Sequence, residues 1–473
     1  MAALSDRVAD VVREKHDAHS PKTAAQFRYV VLPGNEARMF AECLRARPWW
    51  APAEPRSKGG ASRPAKGTRE YSLWYASNGQ RFDFSSLNGA ATGKRFSVNR
   101  FANHRVICTK TGLAMTMASY ARRLNLPSAE RVGLPKTYIH AGADGRLGLE
   151  KVRKMAEQHA KAHSGESVWI VKPAALNRGF GIEVFHEVDT MLAFLTTKAT
   201  AGSQWVVQKY IERPLLVHGR KFDIRQLVLV TPSMHVYMYR DSYVRTCAAK
   251  YEKDSKGDLS VHLTNDYLQK HLDSYGKFED ANKLDFDGLQ AAIDAGVEAG
   301  ANPPMSVRDD IWPGMCEAIA HVFAACLDQI NKPHAAAPEN VPPPTSDKQR
   351  RALFWELFGA DFMVDLGGER PKVVLIEINT SPALFRHGAV LEDLMPRMIE
   401  EVVQLCIDPY FPPPPDHKSF DIGARLPKGR RFDKIDIPVA PSRRSPSPFK
   451  SVALASKGTL PPIAASPKRA IFR

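Results

Sequence analysis

ADFMVDLGGERPKVVLIEINTSPAL, Ala360 to Leu384, is the stretch whose reading decides the fold. It divides into two strands, ADFMVD and VVLIEIN, joined by the tight polar turn LGGERPK. Alternation places Asp361 and Asp365 on one face of the first strand. It places Val373, Leu375, Glu377 and Asn379 on one face of the second. An antiparallel closure with Asp365 opposite Val373 sets Asp361 opposite Glu377. Facing residues in such a pair have Cβ atoms roughly 4.5–5.5 Å apart. Two carboxylates that close repel each other unless a cation lies between them. With the Asn379 amide two residues beyond Glu377, the ligand set is all oxygen, which suits Mg2+ or Mn2+ better than zinc. An exposed hairpin that carries its acids for solubility is the plainer reading, but the apolar residues around the acids favour a half-buried sheet.

A chain of 473 residues has room for two or three domains around such a site. Hydrophobic content of 44% and charged content of 25% are those of an ordinary soluble protein. Apolar runs fall short of a membrane span, and the N-terminus has no secretory hydrophobic segment. The six cysteines are scattered without a CxxC pair, so free thiols and a cytoplasmic setting are expected. The net charge of +15 is uneven: residues 411–473 hold 13 Lys/Arg against 4 Asp/Glu. That stretch, with FPPPPD and SRRSPSPFK, reads as a disordered Pro/Ser-rich basic tail whose partner is a polyanion, nucleic acid or an acidic protein surface.

Along the chain, residues 1–26 form an arm and residues 27–140 a small α/β unit. That unit opens with strand FRYVVLP and with a helix whose stripe is Met39, Phe40 and Leu44. A second strand, YSLWYAS, a helix from Thr109 to Arg122 and the strand KTYIHA complete it. In the helix from Leu149 to His163, His159 and His163 are four apart but lack a third ligand, so an exposed helix face is expected. Met315, Ile319, Phe323, Cys326 and Ile330 mark an amphipathic helix, and Val390 to Cys406 a last one containing Pro396.

The central block starts at SVWIVKPAALNRGFGIEVF, Ser167 to Phe185. Its glycine loop joins two strands, unlike the strand-to-helix loops of Walker and Rossmann sites. A flap carrying Arg178, Gly179 and Gly181 over phosphates, or a plain hairpin turn, fits that arrangement. Beyond it, Lys221, Asp223 and Arg225 share a strand face, a costly row to bury without ligands or partners. HVYMYRDSYVRT contributes Arg240 and Arg245, and VHLTND contributes His262, Thr264 and Asn265, each taken as a further strand lining a shared cleft.

VVQKYIERPLLVHGRKFDIRQLVLVT, VHLTNDYLQKH and FGADFMVD…VVLIEINTSPAL together resemble the tubulin–tyrosine ligase family over roughly Phe27 to Cys406. The resemblance implies an ATP-grasp fold of the α/β class, with a central domain over residues 141–240 and a C-terminal domain over 241–410. It implies ATP and Mg2+ as cofactors. ATP would be held by Lys172, Arg178, Gly179, Gly181, Gln208, Lys209, Tyr210, Ile211, Lys221 and Asp223, and the metal by Asp361, Glu377 and Asn379. Arg225, Arg245, Thr264 and Asn265 would line the acceptor side, with Arg225 and Arg245 catalytic. The implied reaction adds a free amino acid to an acidic tubulin tail, on microtubules, through an acyl phosphate. YGKFEDANKLDFDGLQ and the compact N-terminal unit favour tyrosine as the donor. YRDSYVR and NTSP resemble the glycylase branch, and NTSP also the glutamylases. An inactive core that only binds microtubules is the reading from another class.

Overall fold

The computed structural model of the chain describes residues 25–34, 37–53, 71–76, 95–162, 167–176, 179–200, 202–252, 255, 258–330, 352–426 and 429–438. Everything turns on strand Arg220–Val230, whose eleven residues are all buried. It pairs antiparallel with Tyr243–Lys250 and Val236–Tyr239 on one side and with Glu356–Asp365 on the other. Lys372–Thr380, Lys283–Leu284, Leu216–Val217 and Phe432–Lys434 complete an eight-stranded sheet.

Alternation assigns the two faces of the central strand different work. Phe222, Ile224, Val228 and Val230 enter the main core with helices Lys110–Arg123, Phe286–Glu298 and Trp312–Ile330. Leu227 and Leu229, on the opposite face, join the core built on helix Ala389–Cys406. Lys221, Asp223 and Arg225 share the face of Leu227 and Leu229, one stretch earlier along the strand, and that is where the cleft lies.

Across the cleft is a four-stranded antiparallel sheet, ordered Thr137–Ala141, Gln204–Lys209, Trp169–Pro173, Glu183–Phe185. Trp169, Val171 and Val207 turn away from the cleft and pack with Val152, Ala156 and Leu195 of helices Gly145–Ala162 and Val188–Lys198. His159 belongs to this packing. It is buried edge-on against Trp169 with ring centroids 5.6 Å apart, and its Nδ1 is 3.3 Å from Ser167 Oγ. The expected exposed face is therefore core at this position, and His163 lies outside the described residues.

A third, parallel sheet runs Ala352–Phe354, Phe96–Val98, Leu73–Tyr75, Phe27–Val31, Trp50–Pro52. Helix Ala37–Arg45 covers it with Met39, Phe40 and Leu44. The sheets cut across the expected division at 140 and 240. Thr137–Ala141 pairs with Gln204–Gln208, and the parallel sheet takes a strand from residues 352–354. Contacts join the chain up to Ala440 into one unit.

Past Phe411 the chain stays folded well into the expected tail. Phe411 sits edge-on to Phe27 and Trp50, each with centroids 5.1 Å away. Strand Phe432–Lys434 adds to the large sheet beside Val236–Tyr239. The Glu401 carboxylate accepts the N–H groups of Arg431 and Phe432 at 2.9 Å. The folded part thus extends further than composition suggests, because backbone pairing and a few aromatic anchors hold this charged segment. Residues 439–473, the arm at 1–24 and the insertion at 331–350 lie outside the described residues.

A buried ion network ties the two ends of this unit together. Arg47, fully buried, donates to both Asp408 oxygens at 2.7 Å, to Glu400 Oε1 at 2.7 Å and to the Cys43 carbonyl at 2.7 Å. None of the six cysteines is disulfide-bonded. No helix among the described residues is long and apolar enough to cross a membrane.

Candidate active site

The hairpin brings its acids together by a route that strict alternation does not predict. Val364 pairs with Val373 and Asp365 with Lys372, one residue off the expected register. Between Asp361 and Phe362 the register shifts: Phe362 faces Leu375 while Asp361 faces Glu377. Ile376 is the extra residue, a β-bulge that re-aims the strand beyond it. Leu375 and Ile378 therefore share the main core, whereas Ile376 packs on the cleft side with Ile211, Met363 and Val374. Glu377 and Asn379 do not continue the face of Val373 and Leu375; they join Asp361 over the cleft.

Around Asp361 the charges form a chain. Arg225 donates to both Asp361 oxygens, at 3.0 Å through Nη2 and at closer range through Nε. Arg245 donates to both oxygens of Asp223 at 2.7 Å, and its Nη2 also reaches Asp361 Oδ2 at 2.9 Å. Thr264 donates its hydroxyl to Asp223. Burial alone would raise the Asp361 pKa, but the two guanidiniums outweigh it and hold the carboxyl down at about 2. Gly359 makes this packing possible. A Cβ there would sit 3.0 Å from both Arg225 Cδ and Pro382 Cβ, so the arginine stem and the NTSP turn meet over a bare backbone.

The four-stranded sheet supplies cations from the other wall. Lys172 donates to Gln208 Oε1 at 2.7 Å, and Gln208 donates on to Thr137 Oγ1 at 3.0 Å. Burial brings the Lys172 ammonium down to about 8, with Glu377 opposing and Lys110 adding to the drop. Lys221, held by Tyr210 and the His262 carbonyl, also falls to about 8, chiefly by burial.

Lys110 is the residue that sequence reasoning missed. It opens helix Lys110–Arg123 behind the Thr109 cap and donates to the Leu176 carbonyl at 2.6 Å. Burial lowers its pKa while Glu377 raises it, which places it electrostatically at the acids. A lysine at a helix N-terminus opposes the helix dipole, and that unfavourable placement was the available signal.

Other expected residues stand as follows. Ile211 forms the apolar floor beside the acids. Gly181, at φ 69°, packs where a Cβ would meet Pro173 Cγ at 2.9 Å; Gly179 lies against Leu263; Arg178 is outside the described residues. Lys209 turns to Glu212 and to the Val168 and Tyr210 carbonyls rather than to Lys172. VHLTND is no strand: it ends helix Leu259–His262 and begins Asp266–Gln269, which Asn265 caps by accepting the Tyr267 N–H at 2.7 Å. Arg240 lies at an exposed turn, paired with Asp433 away from the acids.

The acids fit a hard cation that takes most of its oxygens elsewhere. Asn379 Nδ2 donates to Glu377 Oε1 at 2.9 Å and lies 3.4 Å from Asp361 Oδ2, so the three groups adjoin. Among the described residues no group of three or more His, Cys, Asp and Glu side chains makes a metal cage. Mg2+ commonly binds through one or two carboxylates, with phosphate and water completing the shell. Asp361 is already engaged by two arginines, which leaves Glu377 the better-placed ligand.

The sequence profile of the Tubulin-tyrosine ligase family matches residues 94–419. Tubulin monoglycylase TTLL3 of Homo sapiens is 34% identical over 250 residues, 51% of this chain and 29% of that protein. Tubulin glycylase 3A of Drosophila melanogaster is 35% identical over 266 residues, 55% of this chain and 24% of its own. Tubulin glycylase 3B of Tetrahymena thermophila is 28% identical over 278 residues, 58% of this chain and 21% of its own. The chain thus spans less than a third of the length of these relatives.

Proposed function

This chain belongs to the tubulin–tyrosine ligase family, and from that premise we propose that it is an ATP-dependent ligase joining glycine to a carboxylate of an acidic tubulin tail. The observation that supports the ligase reading is that Glu377 faces Lys110 and Lys172, beside an Asp361 held by Arg225 and Arg245. Glycine displaces tyrosine as the expected donor, because the relatives named above are glycylases. An inactive core would have no need of these buried, mutually compensated charges.

A tail carboxylate attacks the terminal phosphorus of ATP, the bond to ADP breaks, and an acyl phosphate forms. The glycine amine then attacks the acyl carbon, phosphate leaves, and the amine proton passes to solvent. Lys110, Lys172 and Lys221 neutralise the polyphosphate; Arg225 and Arg245 face the charge that develops on the acyl oxygen. Asp361, Glu377 and Asn379 would hold Mg2+, which when bound screens the phosphate oxygens. The test is incubation with tubulin, Mg-ATP and each labelled amino acid in turn. Labelled glycine is expected on the tail, and labelled tyrosine or glutamate in its place would overturn the donor assignment.

Two lysines give the site a pH signature. Lys172 and Lys221 lose their protons near 8 in the folded chain against an ordinary 10.5. Between these values the unfolded chain binds more protons, so their contribution to stability rises with pH. Nucleotide binding moves the opposite way, since neutral amines no longer attract phosphate. Affinity for a fluorescent ATP analogue is expected to fall from pH 7.5 to pH 9.5, roughly ten-fold for each lysine discharged, and Lys172→Met is expected to flatten that fall. A flat profile in the unaltered chain would contradict the assignment.

A further inference from the structure

The hydrogen bonds around His262 fix the state of its ring. Lys221 Nζ is 2.8 Å from Tyr210 Oη and 3.0 Å from the His262 carbonyl. An ammonium can only donate, so Tyr210 Oη accepts from Lys221 and must send its own proton elsewhere. Its remaining neighbours are His262 Nδ1, at 2.8 Å, and Tyr251, whose own hydroxyl donates to the Glu212 carbonyl at 2.9 Å. On the far side of the ring Nε2 lies 3.0 Å from the Ser255 carbonyl, which can only accept, so the ring proton sits on Nε2; in the neutral ring that burial favours, Nδ1 is bare and accepts from Tyr210. Tyr210, Lys221 and His262 are all buried, at 5%, 4% and 2% exposure, so water does not relax this requirement.

We propose that His262 is a positioning residue: its neutral Nδ1 takes the Tyr210 proton, so that Tyr210 Oη and the His262 carbonyl occupy two of the three N–H groups of Lys221 and leave the third to an anion in the cleft. The same segment is pinned a second time two residues on, where Thr264 donates to Asp223, itself two residues from Lys221 on the central strand. His262 and Thr264 thus register their segment against the central strand at matching positions. A protonated ring would set a second donor against the Tyr210 hydroxyl and a cation beside Lys221. The groups facing the ring are Lys221, His186, Tyr210, Tyr251, Ser255 and Asp258, of which the Ser255 carbonyl and Asp258 favour the charge while Lys221 and His186 oppose it. Burial also works against protonation.

The effect on nucleotide rests on the ligase reading; the tautomer does not. Asparagine places an acceptor near the reach of Nδ1, whereas glutamine places one near Nε2. His262→Gln is expected to weaken binding of a fluorescent ATP analogue at pH 7.5 by roughly ten-fold, and His262→Asn to recover most of it. In a Lys221→Met background His262→Gln is expected to change affinity by less than about two-fold, since the histidine acts through the lysine. Equal losses in both backgrounds, or no rescue by Asn, would overturn the proposal. Separately, 15N spectra of histidine-labelled protein, with His262 assigned from the His262→Asn variant, are expected to show a bare Nδ1 and a protonated Nε2. A proton on Nδ1 at pH 7.5 would overturn the hydrogen-bond chain. Should the unaltered chain bind no nucleotide, the ligase reading fails and the tautomer still decides the geometry.

Discussion

Glu377→Gln is expected to preserve the fold and abolish ligation, whereas Asp361→Asn is expected to lose both. Glutamine is nearly isosteric with Glu377, which accepts from the Asn379 amide at 2.9 Å. What the change removes is the negative charge facing Lys110 and Lys172 and the metal ligand proposed there. Loss of one such electrostatic group costs about 100- to 1000-fold in turnover. Asp361 is different because two buried arginines depend on it. An amide cannot compensate both guanidiniums, and a buried charge left without its partner costs about 3–5 kcal/mol. Urea unfolding and single-turnover ligation at limiting Mg2+ separate the two effects. Wild-type stability in Asp361→Asn, or near-normal ligation in Glu377→Gln, would show that the site is read wrongly.

The second large effect concerns stability alone. Arg47→Met is expected to destabilise the chain by about 3–5 kcal/mol, because Glu400 and Asp408 then lie buried with Arg425, 3.0 Å from Glu400, and the Gln404 amide, at 3.2 Å, in place of their full partner. Replacing Glu400 and Asp408 with leucine in the same chain is expected to recover most of the loss, since well-packed apolar side chains can match a buried ion network. Urea midpoints of the single and triple variants decide it. No recovery in the triple variant would mean that the network does more than compensate charge.

Much of this was legible because strands announce themselves by alternation. The row Lys221, Asp223, Arg225 and the facing of Asp361 with Glu377 follow from period two. The same rule failed one step away. It put Glu377 on the face of Leu375, and the bulge at Ile376 reversed that, since nothing in VVLIEIN marks which residue is extra. Lys110 was invisible for another reason: it comes from a helix roughly 270 residues before Glu377, and periodicity carries no information about which elements meet. VHLTND deceived by its β-branched residues, although Asp258 just before it and Asn265 within it cap the two short helices. The segment after Phe411 was misjudged by composition, which counts charges and overlooks single aromatic anchors such as Phe411 and Phe432.

The strand Ala352–Phe354 carries a consequence for how the chain is made. It closes the edge of the parallel sheet beside Phe96–Val98, about 250 residues after that sheet has otherwise been synthesised. At roughly 5–20 residues per second a ribosome needs about 10 to 50 seconds to supply it. Through that interval the nascent chain carries an unpaired parallel edge, and Trp355, which stacks on Phe40 at 5.6 Å, is still missing from the core beneath it. Chaperones that shield sheet edges would have their longest opportunity here, and a chain released early, before residue 352, would keep that edge open to its neighbours.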